Sequence, residues 1–330
     1  MIIESKQPDI EERFAQPKGW RWHSFEREAG RRIRFGSVFP QDSIPDAVVV
    51  CLQGLGEFSE KYYELARWCN ANNMAFWVFD WAGQGKSHRY LDNPQKRHST
   101  GFDEDIDDLH YLITEYIKHS SVHPDRGRIP LAMIAHSMGG NLGLRYLQKH
   151  PDTFECAAFS APMTGIKAFE KIPQYVALAS TYLLKLFAGK SYIATGGDWV
   201  RNAKTHILSS DPIRSLINDL WFEKNDDLRC GDITFRWLYD AQKSCISVQK
   251  HAPSIKTPCF FGIPKHDALI DNKISKKIIN SMDNASAADY PDAYHEILME
   301  KDNIRDDFLN NFYRLVKENI IDKPETLKPF

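Results

Sequence analysis

Residues 134–140 read IAHSMGG. The apolar run Pro130–Ala135 ends here, and a helix-like run, Asn141 to Lys149, begins directly after two glycines. A chain that passes from strand to helix in so few residues strains the backbone of the residue at the corner, and that residue is Ser137. Neighbours two positions away must be small, since larger side chains collide across the turn; they are Ala135 and Gly139. Gly140 lets the helix press against the sheet. The serine hydroxyl then projects at the carboxyl edge of the sheet, over a helix N-terminus that favours developing negative charge.

The surrounding sequence supplies the sheet. Trp22–Glu28 and Arg31–Phe39 flank Ala29-Gly30 and read as a β-hairpin. Ala47–Leu52, Met74–Phe79, Pro130–Ala135, Cys156–Phe159 and Pro258–Ile263 are short and apolar throughout, the pattern of strands buried on both faces. A last strand is expected near Ala287–Tyr290. Helical stripes lie between them: Phe102, Ile106, Leu109, Ile113 and Tyr116, with Thr100-x-x-Asp103 as a capping box; Ile274, Ile278 and Met282; Phe308, Phe312, Leu315 and Val316. Alternating strand and helix implies an α/β fold, a mostly parallel central sheet with helices on both faces. Residues 163–252 show no buried strand and are rich in aromatic helical segments, so they are expected to form a helical cap inserted into a core of 1–162 and 253–330.

A serine hydroxyl is a weak nucleophile at neutral pH and needs a base, itself oriented by a carboxylate. In folds built on this turn the chain order is serine, acid, histidine. Asp267 follows the strand Pro258–Ile263 at its carboxyl end, and His295 lies in a loop before the final helix. Asp271 is the rival acid, with a helix N-cap as its simpler role. His266 is the rival base but, adjacent to Asp267, should point elsewhere. His136, inside the turn, reads as a packing or polar-loop residue. For the oxyanion, one donor is expected from the backbone N–H of Met138. The other is expected from Leu55, in the glycine-containing loop Gln53–Glu57 that follows Ala47–Leu52.

Together these pieces resemble the α/β-hydrolase superfamily, and within it the monoacylglycerol lipase and bacterial lysophospholipase branch. QGLGEFSEKY resembles that branch's H-G-x-G-E-H-S-x-R-Y segment, DWAGQGKS its D-x-x-G-x-G-x-S turn, and AHSMGG its G-H-S-M-G-G. HDALID resembles its acid loop and AYHEIL its histidine loop, while SAPMTGI and LRCGDITFRWLYDA resemble the bacterial lysophospholipases. The likeness runs in order from about Val48 to the C-terminus. Gln53, Phe58 and Ala135 depart from the usual His, His and Gly. The resemblance implies a serine carboxylic-ester hydrolase of single-chain lipids, working through an acyl-enzyme on Ser137 with His295 and Asp267. Lysophospholipid is the favoured substrate, then monoacylglycerol or a short-chain ester, with transacylation open. A catalytically silent binding module is the alternative of a different class.

Other signals are weaker. A net charge of −2 offers no electrostatic case for a nucleic-acid partner. Six scattered cysteines without a C-x-x-C pair read as buried free thiols of a reducing compartment. The charged N-terminal stretch lacks a signal-peptide core, so a cytoplasmic location is expected, with peripheral contact at the inner face of the membrane as an extension. Gly85-Lys86-Ser87 ends like a phosphate loop, but Asp80 stands where its first glycine belongs. His119 and His123, near Asp125, are set in a loop-like, proline-bearing stretch that argues against a metal site, and no cofactor is expected. Arg27, Arg31, Arg32 and Arg34 read as solvated strand faces, with phospholipid contact as the sharper alternative. Tyr175–Phe187, apolar on nearly all sides, reads as a buried cap helix, or as one that lines an acyl tunnel or meets a bilayer surface.

Overall fold

The computed structural model describes residues 4–124, 127–203 and 205–323. Eight strands form one sheet: β1 (Arg21–Arg27), β2 (Arg31–Val38), β3 (Ala47–Leu52), β4 (Met74–Phe79), β5 (Leu131–His136), β6 (Cys156–Ser160), β7 (Cys259–Pro264) and β8 (Ala285–Tyr290). Their order across the sheet is β1-β2-β4-β3-β5-β6-β7-β8. β2 runs antiparallel to β1 and β4, and every other neighbouring pair is parallel. The apolar runs of the sequence therefore mark strands of the sheet within a residue or two.

The helices are α1 (Tyr63–Ala71), α2 (Phe102–Leu112), α3 (Ser137–Lys149), α4 (Gln174–Ala188), α5 (Ile217–Lys224), α6 (Phe235–His251), α7 (Asn272–Ile279) and α8 (Asp302–Val316). Alternation along β3 sorts them into two layers. Val48, Val50 and Leu52 share one core with Ile106 and Leu109 of α2, Leu142 of α3 and Ile278 of α7. Ala47, Val49 and Cys51 share the other with Leu65 and Cys69 of α1 and with Phe308, Phe312 and Val316 of α8. A strand apolar at every position is what a sheet covered on both sides requires. All six cysteines are buried with free thiols.

Several expectations are corrected. The proposed capping box does not form: the N-cap of α2 is Gly101, and the Thr100 hydroxyl instead donates to Glu104 Oε2 at 2.6 Å. The stretch 163–252 divides, because α6 places Trp237, Ala241, Cys245 and Val248 in the same core as α2 and α3. It is thus the crossover helix from β6 to β7, and residues 163–234 form the excursion proper. Within that excursion α4 is not a buried helix, since only Ala177 and Thr181 are covered along it. The arginine cluster is not a set of solvated faces. Arg34 is fully buried against Glu60 and Asp80, at 2.7 and 2.6 Å, while Arg27 and Arg31 pair with Asp108. The Gly85-Lys86-Ser87 turn wraps its own Asp80, which accepts the Lys86 N–H at 2.8 Å. His119 is exposed in the short helical turn Lys118–Ser120, and Asp125 lies outside the described residues. Among the described residues, no helix is long and apolar enough to cross a membrane.

Candidate active site

The strand-to-helix corner puts Ser137 at φ +51°, a left-handed conformation that a residue with a Cβ adopts only when its surroundings impose it. The cause is visible two residues on. A Cβ added to Gly139 would lie 2.2 Å from the carbonyl oxygen of Leu52 and 2.5 Å from that of Gln53, so α3 starts hard against the end of β3. Ala135, on the buried strand, fits without exposure.

Asp267 follows β7 and His295 follows β8, and the structure brings both to Ser137. His295 Nδ1–H donates to Asp267 Oδ2 at 2.8 Å, and the Ser137 hydroxyl stands 2.8 Å from His295 Nε2. The other carboxylate oxygen, Asp267 Oδ1, accepts the backbone N–H groups of Leu269 and Ile270 at 2.8 and 2.9 Å. All three side chains are buried. Burial pushes the Asp267 carboxyl up, but His295 and the two N–H donors outweigh it and leave the pKa lowered. Burial likewise pushes the His295 imidazole down, and the adjacent Asp267 carboxylate, helped by Glu296 and Glu57, leaves it raised above 6.5.

The rivals lie elsewhere. Asp271 caps α7, its side chain accepting the Lys273 N–H at 3.0 Å. His266 is exposed beside Tyr294, with ring centroids 5.6 Å apart. His136 donates from Nδ1–H to the Ser160 carbonyl at 3.1 Å. Burial, with the His295 and Lys61 charges, lowers its pKa to about 4, so it stays neutral.

Met138 sits in the first turn of α3, where an N–H has no intrahelical acceptor. Leu55 lies in the loop after β3, and among the described residues its N–H donates to no backbone carbonyl. Leu55, Ser137 and His295 all line a cavity of about 630 Å³. Much of its wall comes from the excursion and α6, including Met163, Ile193, Leu208, Phe222, Trp237 and Leu238.

Sequence reading alone misses a buried ionic group beneath the serine. The Lys61 ammonium bridges Glu57 Oε1 at 2.7 Å and Glu296 Oε1 at 2.8 Å, and Tyr62 OH donates to Glu57 Oε2 at 2.6 Å. Burial would raise the Glu57 carboxyl, but Lys61 holds it well below the usual range. Glu57, His136 and Glu296 are the one group among the described residues whose donor atoms converge as metal ligands would. The Lys61 cation already occupies the space between both carboxylates. The signal was the pairing of Glu57 with Lys61 four residues on, but Glu296 is 235 positions from Lys61.

The Hydrolase_4 family, described as serine aminopeptidase S33, matches residues 43–302. The chain belongs to this family. Among relatives of this Hydrolase_4 protein, a probable lysophospholipase L2 of Haemophilus influenzae is 26% identical over 287 residues, covering 85% of this chain and 87% of that protein. Lysophospholipase L2 of Escherichia coli is 28% identical over 273 residues, covering 79% and 77%. A crystal structure of a soluble variant of monoglyceride lipase from Saccharomyces cerevisiae, in complex with a substrate analogue, superposes with a TM-score of 0.72 at 19% identity, covering 94% of this chain and all of that one. At that identity it establishes the shared α/β-hydrolase fold.

The electrostatics make a prediction independent of any reaction. His295 should titrate by imidazole NMR above the ordinary 6.5, and Asp267→Asn should lower that titration, because the largest influence opposing burial is then removed and only Glu296 and Glu57 remain against it. The sign for stability follows: a raised folded-state pKa contributes fully below pH 6.5 and is lost as pH rises through the folded value. An unchanged titration in the Asn variant would contradict the assigned pair.

Proposed function

We propose that this Hydrolase_4 protein is a serine carboxylic-ester hydrolase of single-chain lipids, most simply a lysophospholipase. The observation that carries the reading is the continuous chain from Asp267 through His295 to Ser137, open to a largely apolar cavity. The names of the two bacterial relatives supply the substrate class.

In this reading Ser137 Oγ attacks the ester carbonyl while His295 Nε2 takes its proton, and Asp267 holds the resulting imidazolium in place. The N–H groups of Leu55 and Met138 receive the oxyanion. His295 returns the proton to the departing glycerol oxygen, which leaves the acyl group on Ser137. Water, deprotonated by the same imidazole, then releases the fatty acid. The apolar cavity takes the acyl chain, and residues 163–234 act as the cap that closes over it.

The cap also supplies the contact with a lipid surface. Along α4, Tyr175 is 76% and Phe187 87% exposed, and Leu183 and Leu186 are more than half exposed. An apolar face of this extent on a helix is an interaction surface. None of α4 lines the cavity, which favours surface contact over an acyl tunnel for this helix. Val200 and Leu269, both exposed, stand where the cavity wall reaches solvent.

Two experiments test these statements. On a panel of lysophospholipids, monoacylglycerols and p-nitrophenyl esters ranked by kcat/KM, lysophospholipids should lead, and Ser137→Ala and His295→Ala should each cost about 10⁴-fold or more in kcat. Full turnover in either variant would remove its assignment. In flotation with phosphatidylglycerol-containing vesicles, wild type should rise with the lipid, whereas Leu183→Asp combined with Phe187→Asp should stay below and keep its activity on a soluble ester. Equal recovery would exclude α4 as the contact.

A further inference from the structure

The loop that carries Leu55 is pinned at five backbone atoms by buried side chains. The Gln53 carbonyl accepts Trp81 Nε1–H at 2.9 Å. The Gly54 N–H donates to the Glu57 carboxylate. The remaining three bonds go to a single side chain. Gln84 Oε1 accepts the Gly56 N–H at 3.1 Å, while Gln84 Nε2 donates to the carbonyls of Gly54 at 2.8 Å and Glu57 at 2.9 Å. Gln84 is itself fully buried. The Leu55 N–H lies outside the clamp, between two glycines that it fixes.

The orientation of that carboxamide is also determined. Arg97 Nε–H donates to Gln84 Oε1 at 3.0 Å, so the oxygen faces Arg97 and the amino group must face the loop carbonyls. Arg97 is 1% exposed, and its hydrogen-bond partners are neutral: Gln84, the His98 carbonyl and the Met138 sulfur. Burying a cation without a hydrogen-bonded carboxylate is costly, which a role in packing alone does not require. The turn makes room for it. Gly83 stands at φ +89°, and a Cβ there would lie 2.3 Å from Arg97 Nη1. Arg97 thus touches both sides of the expected oxyanion site, the Leu55 loop through Gln84 and Met138 directly.

We propose that Gln84, oriented by Arg97, is a positioning residue for ester hydrolysis: it holds the 53–57 loop so that the Leu55 N–H is fixed toward the oxyanion before substrate arrives. This rests on the hydrolase reading above. A preorganised donor costs nothing to reorient during reaction, which is why its placement affects kcat more than substrate binding.

Gln84→Glu is nearly isosteric but sets an acceptor against two carbonyls. It should lower kcat by about 10²-fold, the scale of losing one oxyanion donor, with KM changed by less than about twofold. The Ki of a trifluoromethyl ketone, whose adduct carries an oxyanion, should rise by a similar factor. Binding of an ether-linked, unreactive substrate analogue should stay the same. Should the charged variant fail to fold, Gln84→Met deletes the same bonds without a charge and carries the same expectations. A folded variant with wild-type kcat and ketone affinity would overturn the proposal, as would equal losses for ketone and ether, which indicate general disorder. Failure of the hydrolase reading looks different: the wild-type protein itself would turn over no ester, and both statements would go.

Discussion

A serine held in a left-handed backbone conformation is the constraint on which the rest of this molecule depends. Ser137 at φ +51° is stable only because the residues after it cannot relax away from the end of β3. The same close approach sets the start of α3 against the first residue of the loop after β3. Strain of this kind costs on the order of 1–3 kcal/mol, and central strands buried at every position, such as β3 and β5, are the sort of surroundings that can over-determine it. Position and reactivity at the corner are therefore one problem, solved by packing.

Electrostatics then separates the buried charges nearest the serine into two groups. Asp267 is satisfied by His295 and two backbone N–H groups, so it stays ionised although buried and favours a proton on the imidazole. Beneath it, Glu57, Lys61 and Glu296 join the loop after β3 to the loop after β8, although the chain separates them widely. Partnered burial of this sort penalises removal of any one member more than it rewards the set, and it holds both loops in one relative position. Gln84 and Arg97 extend that fixed region to the far side of the Leu55 loop.

Much of this was legible in the sequence, for physical reasons. Parallel strands buried on two faces have to be apolar throughout, and their runs stand out against amphipathic helices. The corner at Ser137 needs small neighbours at defined spacing, and the ends of strands are where loop residues such as Asp267 and His295 can converge. What stayed hidden depends on distant contacts. Nothing local in Gln84, Arg97 or Glu296 announces these partners, because Arg97 and Gln84 are 13 positions apart, Gln84 and Gly54 are 30, and Glu296 and Lys61 are 235. The end of the insertion is not legible in the sequence, because an amphipathic helix such as α6 reads alike whether its apolar face meets a sheet or a cap. The apolar composition of α4 leaves burial, an acyl tunnel and a bilayer surface all open in the sequence, and most of that surface is exposed.

The most direct test is a crystal structure of the protein reacted with a long-chain fluorophosphonate. Phosphorus should be bonded to Ser137 Oγ, with the phosphoryl oxygen about 2.7–3.1 Å from the backbone nitrogens of both Leu55 and Met138 and the alkyl chain lying in the cavity under the cap. An adduct on another residue, or a phosphoryl oxygen turned away from both nitrogens, would contradict the account.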